Sequence, residues 1–494
     1  MVWLIARKEF HDNWISYKIL LAFALCIILV TVSVVLALKD YSERLSSYSL
    51  AHSGDGFFLD RIANYICLNE EGKFAWNSSI GDIVDAIGVY RRPAELSVFA
   101  RGLEDRMNRP VRFLDIRKLG PQVQVYTRNK QERNKLFALF SPPDFLFITK
   151  VMLSLLTILF AFSAIAGERE AGTLKLMLSN SVSRGQVLLG KFLGGYASLA
   201  APFLAAALIA LLLLALSPSI VLDSGGWMRI LLLVAVSLVY IAVFFFIGLA
   251  VSALARRSAT AVVLLLAIWV VLALVIPNVG WLVAKRVIEV PSQQQIETEK
   301  FKTARQIEDE TEKKYPSHTN MPGYGQYHVE AQDEIRKAMV GIEEGYEILR
   351  RKRLALSQIL TRLSPVGSYV YATAGLAQTG IEDEKRYDSQ LKQNEAQMSV
   401  EVKRMFDDAF SGAGRESPPP REDLHAYRAW LVRDYELVYG SFRSVYSTML
   451  SLTFGKSSLL ETLHTIRLDL LLLVIWMGLG FVFATLAVVK CEAR

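Results

Sequence analysis

The feature that most constrains this chain is a set of apolar runs, each about 20 residues or longer, the length an α-helix needs to cross a hydrocarbon core about 30 Å thick. Six stand out, at about 15–38, 145–166, 187–216, 227–254, 259–284 and 468–489. Backbone groups in lipid must bond within their own segment, so each run is expected to be a helix. None of them alternates like a strand, which excludes a barrel. Of the 494 residues 52% are hydrophobic, and the excess lies in these runs. The expected fold class is therefore an α-helical polytopic membrane protein with six transmembrane helices and aqueous segments between them.

Charge sets the expected orientation. Arg7 and Lys8 precede the first run, and Arg169, Lys175, Arg184 and Lys191 surround the connection between the second and third. Arg256 and Arg257 form the turn between the fourth and fifth, and Lys490 and Arg494 follow the sixth. With six spans all four sites share one side, which the positive-inside rule makes cytoplasmic, with both termini. The link 217–226 carries Asp223 and no Lys or Arg, as an outer loop should. The net charge of +7 is accounted for in this way, without a nucleic-acid partner. Cys26, Cys67 and Cys491 form no disulfide framework or zinc spacing. The first run is long enough to span and ends in no small-residue cleavage site, so it reads as an uncleaved helix.

Two long segments, 39–144 and 285–467, are then expected outside. The first mixes turn signals with strand-like stretches at 111–114 and 123–126 and a helix over 80–90 capped by Ser79, which suggests a small α+β domain. The second reads as mainly helical, with long helices over 293–314 and 329–360. In the latter Val340, Tyr346, Leu349, Leu354, Leu356 and Ile359 fall at helical spacing. The prolines of 417–420 make a stiff linker before a further helical pattern at 422–450. The uncharged stretch 363–380 is too polar to span well. Pro365, Tyr369 and Tyr371 near its start fit a short helix at the outer membrane interface, or a buried helix of the outer domain.

The connection 167–186 is the most informative stretch. It begins Gly167-Glu168-Arg169-Glu170-Ala171-Gly172-Thr173-Leu174-Lys175, reaches Ser181-Val182-Ser183-Arg184, and leads to Gly190-Lys191. Glu168 and Glu170 offer anchoring charge, Gly172 a tight turn, and Leu174, Leu176 and Leu178 an apolar contact. By chemistry alone this is either a rigid lever or a surface loop with capping acids. The run resembles the signature loop of the type-2 ABC exporter permeases, with Ser181 where that family usually has proline. The resemblance implies that Glu168, Arg169, Glu170, Gly172, Thr173, Leu174 and Arg184 couple the membrane helices to a separate ATPase through a coupling helix. Residues 1–14, with Trp3, Phe10 and Trp14 among charges, fit an amphipathic helix on the inner membrane surface. They also look like the family's N-terminal connecting helix. The two outer segments resemble a bacterial subgroup encoded beside copper-enzyme maturation and gliding-motility systems, which gives no substrate.

The resemblance implies the membrane subunit of an exporter in the bacterial inner membrane. Its expected partners are an ABC ATPase, a second permease copy or homologue, and lipid. No cofactor or metal is expected in this chain, ATP and Mg belonging to the ATPase. Gly455-Lys456-Ser457 is not a phosphate-binding loop, because position 450 is Leu rather than Gly. Lys150, Arg229, Arg467 and Asp469 sit near outer ends, and no intramembrane acid or His suggests ion-coupled transport. The milder Thr31, Ser154, Thr157, Ser163, Ser198, Ser237, Tyr240 and Thr260 either line a path for a lipidic or amphipathic substrate or hold helices together. The outer histidines His52, His318, His328, His425 and His464 have no metal-ligand spacing, and no Gly-x-Ser-x-Gly is present, so a hydrolase is unsupported. A mechanotransmitter without substrate flux and a membrane-anchored scaffold are the competing readings.

Overall fold

The computed structural model describes residues 1–53, 66–68, 74–76, 91–107, 111–112, 126–127, 144–173, 183–314, 324–410 and 454–490. They are nearly all helical. Six helices are long and apolar enough to cross a membrane: Tyr17–Ser49, Phe145–Glu170, Arg184–Leu216, Ser224–Leu254, Ser258–Val287 and Leu459–Lys490. They form two compact units, Met1–Val262 with Tyr369–Arg494, and Val263–Ser368.

In the first unit α1 (Val2–Ile15) is followed by α2 (Tyr17–Ser53). The expected outer segment therefore opens with helix, because α2 runs on past residue 38. Its polar extension keeps helical spacing, with Arg44 reaching back one turn to Asp40 at 3.0 Å. Beyond it the described residues hold two short antiparallel pairs, β1 (Ile66–Leu68) with β2 (Phe74–Trp76), and β3 (Val111–Arg112) with β4 (Tyr126–Thr127). These fragments do not support the small α+β domain expected for 39–144. The helix expected over 80–90 lies outside the described residues, as do the linker at 417–420 and the pattern at 422–450.

The second span is broken twice. Asp144 caps its start by accepting from the Phe147 amide at 2.7 Å. A π-type turn follows over Ile148–Leu153, then α3 (Ser154–Ala161), a non-helical turn, and α4 (Ala166–Glu170). Breaks in a buried helix must be repaired by other groups. Here Ser252 repairs the second one: its Oγ accepts from the amides of Ile165 and Ala166, both at 3.0 Å, and donates to the Phe162 carbonyl at 2.8 Å.

Ser183 and Gln186 form a reciprocal capping box at the start of α5 (Arg184–Leu216), which holds Pro202 in its interior. Asp223 caps α6 (Ser224–Leu254), which is unbroken for 31 residues. The fifth span comprises α7 (Ser258–Val270), a π-type turn at Val271–Val275 and α8 (Ile276–Val287).

In the second unit α9 (Gln293–Lys314) and α10 (Tyr324–Thr361) pack together, and α8 packs on α10. Lys300 bridges α9 to Glu343 of α10 at 2.6 Å, and Arg353 lies over the Trp281 ring at 5.1 Å. That hydrogen-bonded ion pair holds the Glu343 carboxyl below its ordinary range. Val340 and Ile359, two of the residues at helical spacing on α10, are 52% and 60% exposed. After the turn at 362–364, Ser364 donates to the Leu272 carbonyl at 2.5 Å.

α11 (Pro365–Leu376), α12 (Ile381–Phe410) and α13 (Leu459–Lys490) complete the described helices. Within 363–380, Pro365 and Tyr369 are buried and Tyr371 is half-buried. Tyr369 stacks on Tyr240 of α6 with ring centroids 4.3 Å apart, and its hydroxyl lies 2.9 Å from Ser237 Oγ. The small residues of α11 let it pack closely, while α6 supplies a ring and a hydroxyl for the amphipathic tyrosine.

Candidate functional site

The segment 166–173 joins α4 to the residues leading into α5. Its three consecutive charges each take a different partner. Glu168 pairs with Lys191 of α5 at 2.8 Å, and Lys191 also reaches Glu9 of α1 at 3.2 Å. Arg169 donates to the carbonyls of Ala253 and Ala255, at 2.9 and 2.8 Å, where α6 ends. A guanidinium there satisfies carbonyls that the helix leaves unpaired and complements its dipole. Glu170 accepts from the backbone N–H and hydroxyl of Ser258, at 3.1 and 2.7 Å, at the start of α7. That is the corresponding service at a helix N-terminus.

Lys191 is 1% exposed, so its charge is held inside the bundle by two carboxylates. Burial pushes the Glu9 carboxyl above its ordinary range, opposed by Lys191 and reinforced by Glu168. Close packing of α1 on α5 makes this triad possible. A Cβ on Gly190 would stand 2.7 Å from the Ile5 side chain, and one on Gly194 would stand 2.5 Å from the Ala6 carbonyl oxygen. α1 thus shares its inner face with α5. Trp3 and Trp14 stay exposed elsewhere on the helix, Trp14 stacking on Phe10 at 5.2 Å.

α4 then stops. The Gly172 amide donates back to the Arg169 carbonyl at 3.1 Å, and Gly172 takes φ +72°, the left-handed conformation that commonly ends a helix. Thr173 Oγ1 donates to the Glu168 carbonyl at 3.2 Å. Ala171, Gly172 and Thr173 are exposed. Glu168 and Arg169 are half-buried, and the exposed surface begins at Glu170, whose carboxylate is nonetheless tied to Ser258. Leu174, Leu176 and Leu178 lie outside the described residues. Arg184 donates to the Val489 carbonyl at 3.3 Å, on α13, and is not part of the cluster formed by Glu168, Arg169 and Glu170.

A family model described as the ABC-2 family transporter protein matches residues 3–487. The chain belongs to this family. Within curated proteins, this ABC-2 family member is similar to a probable ABC transporter permease protein NosY of Pseudomonas aeruginosa, at 54% identity over 43 residues. It is similar to the protein of the same description from Stutzerimonas stutzeri at 51% identity over 43 residues. Each alignment covers 9% of this chain and 16% of the relative.

Sequence reasoning missed several residues of the site in this ABC-2 protein. Lys191 reads in the sequence as a flanking charge; its position inside an apolar run is the signal that marks it out. Glu9, three residues after buried Ala6, shares that residue's helical face. Ser252 carried no signal, because a serine that repairs a broken helix looks like any other intramembrane serine. Lys456 of the rejected phosphate-loop look-alike pairs with Glu95 at 2.7 Å.

Proposed function

We propose that this chain is the membrane-spanning permease subunit of an ATP-driven ABC transporter, working as an exporter of a lipidic or amphipathic substrate. A separate ATPase subunit docks on the exposed surface that includes 171–173 and binds the ATP and Mg. The single observation that carries this reading is the set of anchors at Glu168, Arg169 and Glu170. Between them they tie the segment to α1, α5, α6 and α7. Force applied at 171–173 therefore reaches the ends of several helices at once, which is what a lever requires. The family match supports the reading.

The subunit sits in the bacterial inner membrane with both termini cytoplasmic, and functions with a second permease copy or homologue. The exposed Trp3 and Trp14 of α1 fit the lipid interface on that side. The test is a photo-crosslinker at Thr173 in the complex purified with its ABC ATPase. Crosslinking to the ATPase is expected, and Glu170→Ala should lower ATP hydrolysis by the complex in lipid nanodiscs several-fold. Absence of a crosslink from Thr173, with hydrolysis unchanged in Glu170→Ala, overturns the assignment. Substrate movement in vesicles separates export from ATP-driven motion without flux.

A further inference from the structure

α6 is gripped at both ends. At one end Arg169 holds its last carbonyls, and Ser252 holds the break in the second span. At the other end Arg229, in the second turn of α6, is 4% exposed. Its guanidinium donates to the Ser457 carbonyl at 2.7 Å, to Thr462 Oγ1 at 2.9 Å and to the Leu376 carbonyl at 3.4 Å. Those oxygens belong to the strap before α13, the first turn of α13, and the last residue of α11. Gln378 ties the same strap through the Ser457 carbonyl at 3.1 Å. A buried guanidinium is costly unless its donors are satisfied, so these three elements cannot leave α6 freely.

Between the two grips α6 is one helix of 31 residues, about 46 Å long at 1.5 Å per residue. It has no proline and no π-type turn. By contrast the second and fifth spans contain π-type turns, and α5 holds Pro202. Interruptions of those kinds are where helices bend. α6 is also braced along α13, with Phe246 edge-on to Phe481 at 5.6 Å and close to Gly480.

We infer that α6 is a transmission rod. It carries displacement of the 166–173 segment to residues 376–383 and 454–462, and Arg229 is the positioning residue that fastens the far end. The inference rests on the proposed function for its driving force, an ATPase acting at 171–173. It adds a route, and it identifies the far-end segment that must respond to nucleotide.

The experiment is hydrogen–deuterium exchange on the permease–ATPase complex in lipid nanodiscs, with and without ATP and vanadate. Wild type, Arg229→Gln and Thr462→Val are compared, with ATP hydrolysis recorded for each. In wild type, exchange should change at both 165–173 and 454–462. Arg229→Gln should keep the first change, and hydrolysis within twofold of wild type, while losing most of the second. Thr462→Val leaves both carbonyl bonds of Arg229 intact, so it should give a reduced change at 454–462, and it decides the matter if Arg229→Gln fails to assemble. A full-sized change at 454–462 in the assembled variants overturns the rod. A wild-type complex with no change at 165–173 overturns the proposed function instead.

Discussion

Glu168 and Lys191 meet at 2.8 Å, and the lysine side chain is 1% exposed. Because Glu9 approaches the same ammonium at 3.2 Å, one buried cation serves two carboxylates. Removing one member of a buried ion pair leaves an uncompensated charge and typically costs ~3–5 kcal/mol. Lys191→Met should therefore lower the thermal unfolding midpoint in nanodiscs by several degrees. Adding Glu9→Gln and Glu168→Gln to it should restore most of the loss. No recovery in the triple variant would mean that Lys191 acts by packing rather than charge.

Two glycines should respond differently to the same substitution. At Gly172 φ is +72°, yet an added Cβ meets nothing within 4 Å. Gly172→Ala should cost only the left-handed strain, ~1–2 kcal/mol, and leave α1 in place. At Gly194 the Cβ would stand 2.5 Å from a backbone oxygen of α1, which cannot swing aside as a side chain can. Gly194→Ala should cost ~1–3 kcal/mol by overpacking. It should also speed amide exchange throughout α1, and equal exchange in the two variants would contradict the packing argument.

Glu9 gives a pH dependence of definite sign. Burial raises its pKa from the ordinary value of 4.5, so the folded protein holds that proton more tightly than the unfolded chain. The associated stability is full below about 4.5 and declines as pH rises through the raised value. Glu9→Gln should remove this part of the pH slope of unfolding, which lies above pH 4.5. A slope identical to wild type would place the titration on another group.

The spans were legible because a bilayer demands about 20 apolar residues and tolerates few alternatives. Helical spacing likewise brought out α9 and α10 from ordinary charge patterning. Partners across the sequence were not legible. Glu168 and Glu170 read as anchoring charges, but what they anchor, Lys191 and Ser258, lies 23 and 88 residues away. Tyr369 shows why composition misleads: an amphipathic ring suits a membrane interface and a buried stack equally, and only Tyr240 and Ser237 decide between them.

Ser252 offers the most specific test of how the segment 166–173 is aimed. Its hydroxyl satisfies two amides and one carbonyl at the break between α3 and α4. Ser252→Ala leaves these groups unsatisfied at ~1–3 kcal/mol each, unless the chain relaxes into continuous helix. Relaxation would change the helical register of everything after Phe162 and rotate Arg169 away from Ala253 and Ala255. Relaxation predicts faster exchange of the Ala253–Ala255 end of α6 and loss of the Arg169 bonds, and both routes predict faster exchange at 165–170 and a lower unfolding midpoint. Ser252→Thr keeps the hydroxyl and should preserve the break. If Ser252→Ala exchanges like wild type at 165–170 and 253–255, the break is held by the backbone alone, and Arg169 needs no serine to be aimed.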